Sequence, residues 1–497
     1  MRNLSVATRR WVVLLSVLGA LRVLVFAAAH PVFGFIDEAL HLDVVVKFAG
    51  YGLPRRGEDH FHPEAARLIA TQGENQLSPP YGSLRDRLPP AEREASIAKE
   101  TQRLIGHRNA ETFAPPLYYA LAGLWYRAGQ ATGISGVFLI YWLRFLSAPL
   151  FGATILLAGL ICARAWPDRP GVTVGVALVL ACLPQDILYL VNSDVMSPAA
   201  VALALYLVMR WTHDESPARW LPFAAGLAAA AAVLVKYTNL PVLALVAGVI
   251  VVQLRRRRPI AQTVAFALAA AIPIALWLLR CQWEFGDWTA AKDKMAQVDW
   301  TVLPLSQSLR HPIFGPLGLL DFLRVLSVTF WRGELLWNHG VMRVAWADWF
   351  YWIVSAVGVV ITAGWVLRPS PRGRATRPLA LACFTVVAGS IVFLGLLSTR
   401  FDYGSFFFPS RGFPYFAAGR FLTGSIVPAV ILLIGGIDEL QTRRSRISAA
   451  LAAAGVIAVV CLSSEMYLYL SAGSSGEARG MFQSPFNFFH LLLRRGG

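Results

Sequence analysis

The chain has 497 residues, 56% of them apolar and only 15% charged, with a mean hydropathy of +0.54 and a formal net charge of +16. Ordinary soluble domains carry about 25% charged residues. This composition excludes a disordered chain, a collagen, a coiled coil and a small disulfide scaffold, and it argues against a soluble enzyme, whose single core could not hide so much apolar surface. What remains is an all-α, polytopic integral membrane protein. The five cysteines, Cys162, Cys182, Cys281, Cys383 and Cys461, show neither disulfide nor zinc spacing.

A spanning helix takes about 20 apolar residues. Apolar runs occur at about 11–30, 137–163, 171–191, 196–212, 221–235, 239–254, 260–280, 349–367, 378–397, 421–437 and 447–470, which predicts about 11 transmembrane helices. Short connections at 1–10, 164–170, 210–220, 255–259, 368–378 and 438–448 hold 18 arginines and 5 acidic residues. The positive-inside rule puts them, and the N-terminus, in the cytoplasm. The net charge then reports topology and contact with anionic lipid rather than a nucleic-acid partner. Arg9, Arg10, an apolar stretch and Ala27–Ala29 also fit a cleaved signal peptide. Arg22 interrupts that stretch, its length suits an uncleaved anchor, and cleavage would leave the remaining orientation unchanged.

The stretch 115–130 is apolar enough to suggest a span, but a crossing there would put Arg255–Arg258 opposite the basic N-terminus. It therefore reads as a juxtamembrane helix whose Tyr118, Tyr119, Trp125 and Tyr126 suit the headgroup region. The count then places the C-terminus outside. Three regions face the exterior. Loop 31–114 carries 12 acids and 10 bases, loop 281–348 contains an interfacial helix around Ile313–Trp331, and loop 398–420 is rich in Phe, Gly and Arg.

Ionisable residues gather at the external ends of the spans. Asp37 and Glu38 follow the first span, Arg144 lies just inside the second, and Asn192-Ser193-Asp194 joins the third to the fourth. Lys236 joins the fifth to the sixth, and Arg411 and Arg420 precede the tenth. Each alone reads as a cap or a snorkelling side chain; together they mark a site. His60 and His62 have a spacing that could hold a metal, with His41 or His107 approaching, or they belong to a solvated loop. No G-x-G-x-x-G, P-loop, G-x-S-x-G or H-E-x-x-H stretch is present.

The arrangement resembles the GT-C superfamily of polytopic glycosyltransferases, which includes protein O-mannosyltransferases and aminoarabinose transferases. The residues that carry the resemblance are Asp37-Glu38 with His41, Pro115-Pro116-Leu117-Tyr118-Tyr119, Arg144, Asn192-Ser193-Asp194 and Lys236-Tyr237-Thr238. Gly419-Arg420-Phe421 with Pro428 and, more loosely, Thr329–Gly333 resemble stretches of an uncharacterised bacterial branch. The likeness spans roughly residues 11–440, without the large soluble C-terminal domain of the better-known enzymes.

The resemblance implies inverting transfer of a sugar from a polyprenyl-phosphate donor to a glycan, lipid or protein acceptor at the outer face of a bacterial cytoplasmic membrane. Asp37 would be the general base, and Glu38 would orient it or bind sugar hydroxyls. Lys236, Arg411 or Arg420 would bind the donor phosphate, and Arg144 would bind it or pair with a loop acid, with His41, Tyr118, Asn192 and Asp194 in support. No cofactor is required, and a divalent metal has no support beyond His60 and His62. The alternative is a lipid-linked-glycan transporter, for which Arg22 is the midplane candidate, or a non-catalytic assembly protein.

Overall fold

The computed structural model describes residues 5–30, 32–33, 37–72, 88–214, 216–256, 259–334, 336–337, 340–341, 343–367, 373–405, 408–441 and 448–474. Residues 34–36 (just before Asp37), Arg257, Arg258, residues 368–372 and the C-terminal residues 475–497, with the expected outside location of that terminus, lie outside the described residues.

The first helix, α1 (Val6–Ala29), leads into a folded connection made of α2 (Glu38–Tyr51), α3 (Pro63–Gln72), α4 (Pro90–Ile105) and α5 (Leu117–Ala131). Then come α6 (Val137–Phe145), α7 (Ser147–Ala165), α8 (Pro170–Ala181), α9 (Ser197–His213), α10 (Leu221–Val235), α11 (Val242–Arg255) and α12 (Ile260–Phe285). The second long connection holds α13 (Ala291–Gln297), α14 (Leu305–Ser308) and α15 (Pro316–Arg332). The chain closes with α16 (Ala345–Leu367), α17 (Gly373–Ser398), α18 (Ile426–Leu440) and α19 (Ala449–Ser474). Two two-residue strand pairs complete it, Thr301–Val302 with Phe401–Asp402 and Leu336–Trp337 with Gly340–Val341.

The protein is an all-α polytopic membrane protein. Among the described residues, nine helices are long and apolar enough to cross a membrane. The expectation of eleven also counted α8 and α10, whose 12 and 15 residues reach only about 18 and 22 Å as helix, against a hydrocarbon thickness of about 30 Å. Leu21 on α1, Leu268 on α12 and Val359 on α16 are exposed large apolar side chains, as faces solvated by lipid require. Small residues let the inner helices approach closely: a side chain at Gly226 of α10 would strike the Phe266 carbonyl of α12.

The connections sort to two ends. At one, Arg280 donates to the Pro54 carbonyl (2.6 Å), the Arg56 amide to Glu284 (2.9 Å), and Thr301 pairs with Asp402 across a strand. The described parts of 31–114, 281–348 and 398–420 therefore meet. At the other, Arg169 pairs with Asp438 and with Glu439 (3.3 Å), Arg164 pairs with Asp214, and Arg256 reaches the Thr212 carbonyl. The arginine-rich connections therefore meet one another as well.

The short α8 has a structural consequence. Helix stops at Ala181, and residues 182–192 continue as buried irregular chain with one 3-10 turn at Asp186–Tyr189. Irregular backbone at membrane depth is tolerated only inside protein or along a cavity. Here Arg22 of α1 donates to the freed Leu183 carbonyl (2.5 Å), to the Tyr189 hydroxyl (2.8 Å) and to Glu465 of α19 (3.2 Å). A cation at a helix C-terminus also complements its dipole. Arg22, the midplane residue that a transporter would have used, is bound into the scaffold.

Candidate active site at the loop-bearing end of the bundle

Asp37 forms the N-cap of α2 in a left-handed conformation, φ 66°. Asp tolerates this region better than most residues, and such strain clusters at functional sites. Its Oδ2 accepts from Arg420 Nη1 at 3.0 Å, and the Asp37 side chain is one-third exposed while Arg420 is 14% exposed.

Arg420 reaches that position because of the glycine before it. Gly419 opens the 3-10 turn Gly419–Ser425, and its amide donates to Thr329 Oγ1 (2.9 Å). A Cβ there would stand 2.0 Å from the Phe330 amide nitrogen, so only glycine lets this turn lie against the end of α15. Gly333, at φ +77°, ends α15 itself, and the Glu334 amide then donates to Asp186 Oδ2 (3.1 Å). Glu334 Oε2 lies 3.7 Å from Arg420 Nε, and Nε has no hydrogen-bond partner among the described residues. Burial pushes the Glu334 carboxyl up to about 7 against the opposing pull of Arg420, with Asp186 adding to the rise.

Lys236, the residue at which α10 ends in extended backbone, donates to Asp194 Oδ2 at 2.6 Å; Asp194 is fully buried. The Asn192 side chain caps the turn that carries Asp194 by accepting from its amide (2.9 Å). Phe421 joins the two cations, with Lys236 Nζ 5.5 Å and Arg420 Cζ 5.1 Å from its ring centroid. Such contacts are worth about 0.5–2 kcal/mol. The site thus pairs two cations with Asp37, Asp194 and Glu334, on chain segments far apart in sequence.

A second polar layer borders it. His41 Nδ1 and the Tyr119 hydroxyl are 2.6 Å apart, Tyr119 also bonds Ser193, and Tyr118 bonds the Asn192 backbone. Burial pushes His41 down to about 4, so it is neutral at physiological pH. Glu111 pairs with Lys294; against the effect of burial, that cation with His41 and Lys236 holds Glu111 at about 2. Tyr118, Tyr119 and Tyr126 are fully buried in protein contacts, where an interfacial belt was expected.

The other expected site residues are engaged by different partners. Glu38 and Arg144 form a sealed bidentate pair with no side-chain exposure, Nε–Oε1 2.7 Å and Nη2–Oε2 2.6 Å. Glu38 also accepts from the Phe33 and Val191 amides, and Arg144 donates to the Ala27 and His30 carbonyls. Both side chains are closed to solvent; the pair fixes the start of α2 and thereby Asp37. Arg411 is 70% exposed and held bidentate by Asp402, at 2.8 Å to each oxygen, in the outer loop. No contact ties it to Asp37 or Lys236. His60 is half exposed beside Asp59, and His62 uses its amide on Asp43 and its ring on the Glu64 amide. Among the described residues no group of three or more His, Cys, Asp or Glu side chains can hold a metal ion.

The site and bundle define a polytopic membrane protein with a cluster of charged side chains at the end where its long loops meet. A family model described as predicted membrane protein, DUF2142, matches residues 21–401, and the chain belongs to that family. No curated protein matches the chain. Among solved structures it is similar to ArnT from Cupriavidus metallidurans in the apo state, at 13% identity, over 97% of this chain and 74% of that one, with a TM-score of 0.45.

Proposed function

We propose that the chain is a membrane glycosyltransferase of the GT-C type. It moves a sugar from a polyprenyl-phosphate donor to an acceptor hydroxyl, with inversion, at the extracytoplasmic face of a bacterial cytoplasmic membrane. Its N-terminus is cytoplasmic, its C-terminus external, and its arginine-rich loops rest on anionic lipid. The observation that carries the proposal is the Asp37–Arg420 pair beside Lys236–Asp194.

A carboxylate engaged by a guanidinium is a weak base. A donor phosphate entering between Arg420 and Lys236 competes with Asp37 for Arg420, because phosphate, like carboxylate, makes charge-assisted bonds to a guanidinium. Donor binding then frees Asp37. The acceptor oxygen attacks the anomeric carbon, the bond from that carbon to the phosphate oxygen breaks, and the acceptor proton passes to Asp37. The lipid phosphate leaves as an anion against the two cations, so no strong general acid is needed.

The test supplies purified protein with a polyprenyl-phosphate sugar or with the matching nucleotide sugar and no lipid carrier. Transfer from the lipid donor alone is expected. Transfer from the nucleotide sugar alone would overturn the donor assignment.

A further inference from the structure

Apart from the charged cluster, the two long connections line a cavity of about 270 Å³. Arg56, Asp59, Arg108 and Phe113 of the first loop line it, with Phe285 and Asp293 of the second. We propose that this cavity binds one neutral sugar ring of the acceptor. The assignment rests on the glycosyltransferase reading only for the word acceptor; sugar binding itself is independent of it.

The chemistry of the walls carries the inference. Phe113 and Phe285 pack together, ring centroids 4.3 Å apart at 39°, with Arg280 Cζ 5.7 Å from the Phe285 centroid, and they form the apolar part of the lining. Opposite charges balance across the rest. Arg108 Nε donates to Asp59, and Gln297 also reaches that carboxylate (3.4 Å). Among the described residues, neither the Arg56 guanidinium nor the Asp293 carboxylate has an ion-pair or hydrogen-bond partner. One free donor fork and one free acceptor pair, with no net charge in the lining, match a ring of hydroxyls and disfavour a phosphate or a uronic acid. The volume falls just below the roughly 300–1,000 Å³ of drug-sized pockets, which limits the occupant to about one ring.

The cavity is linked to the charged cluster through neighbouring residues. Lys294 follows Asp293 in the chain and pairs with Glu111, and Glu111 interacts electrostatically with His41 and Lys236.

The experiment is saturation-transfer NMR on the full-length protein in detergent, with methyl glucoside, methyl galactoside and methyl mannoside as neutral probes and glucuronate as the anionic one. Saturable binding of at least one neutral glycoside is expected, with glucuronate weaker. Arg56 is exposed and Asp293 partly so, and the double variant Arg56→Gln/Asp293→Asn should weaken that binding about tenfold, the scale of a lost hydrogen bond to a charged group. Asp37→Asn should leave binding unchanged while cutting transfer about 10²–10⁴-fold, which separates this proposal from the catalytic one. No saturable binding of any neutral glycoside, tighter binding of glucuronate, or binding unmoved in the double variant would each overturn it.

Discussion

Arg420 Nη1 stands 3.0 Å from Asp37 Oδ2, joining residues 383 positions apart at the end of the bundle where the long loops meet. The same guanidinium faces Glu334, so one cation is shared by two carboxylates. Base strength at Asp37 then depends on what else holds Arg420.

That sharing predicts a pH dependence. The Glu334 carboxyl titrates at about 7, above its ordinary 4.5. Below about 7 it is neutral and Arg420 is left to Asp37; above, ionised Glu334 competes for Arg420 and relieves Asp37. Transfer should rise as pH passes 7, and Glu334→Gln should remove that rise. Stability runs the other way: the contribution of a raised carboxyl is fully present below about 4.5 and is lost as pH climbs through about 7. Thermal unfolding of wild type against Glu334→Gln across that window measures it.

The sealed pair Glu38–Arg144 predicts a fold defect rather than a kinetic one. Glu38→Gln leaves a buried guanidinium without its counter-charge, which costs about 3–5 kcal/mol. A lower melting temperature in detergent is expected. Replacing both residues by methionine should restore most of the loss, since apolar replacement of a buried pair is often neutral.

The two outer cations should separate cleanly. Lys236→Gln removes a charge-assisted contact of about 1.5–3 kcal/mol and should raise the KM for the lipid donor about tenfold or more. Arg411→Gln, on an exposed loop paired with Asp402, should leave donor KM unchanged. A donor titration of both variants checks this.

Sidedness is testable in the native background, because all five cysteines are buried. Single cysteines at Arg255 and Arg374 should react only from the cytoplasmic side, and one at Arg103 only from the outside. Labelling of Arg255 and Arg103 from the same side would contradict the topology.

The helical architecture was readable because membrane spans announce themselves by length and apolarity. The convergence of Asp37, Asp194, Lys236 and Arg420 was readable because each sits at a span end, a position set by counting crossings. What sequence could not give was whether a charge is open or sealed: Glu38 lies next to Asp37 in the chain, yet α2 turns it into the core while Asp37 stays partly exposed beside Arg420. Glu334 was missed because it sits in a loop whose position depends on Gly333 and Gly419 packing. Asp186 offered a signal, an acid inside an apolar run, but the run reads as helix, and only the early end of α8 shows that the acid lies on irregular chain. Glu465 likewise lies within the last apolar run, where nothing local indicates that it meets Arg22.

The central claim is that Asp37 accepts the acceptor proton once donor phosphate takes Arg420. The most direct measurement is single-turnover transfer by purified Asp37→Asn protein from a polyprenyl-phosphate sugar, compared with wild type at equal folded fraction. General-base catalysis is worth about 10²–10⁴-fold, so a loss of that size with donor binding retained is predicted. Turnover by Asp37→Asn at the wild-type rate would contradict the account.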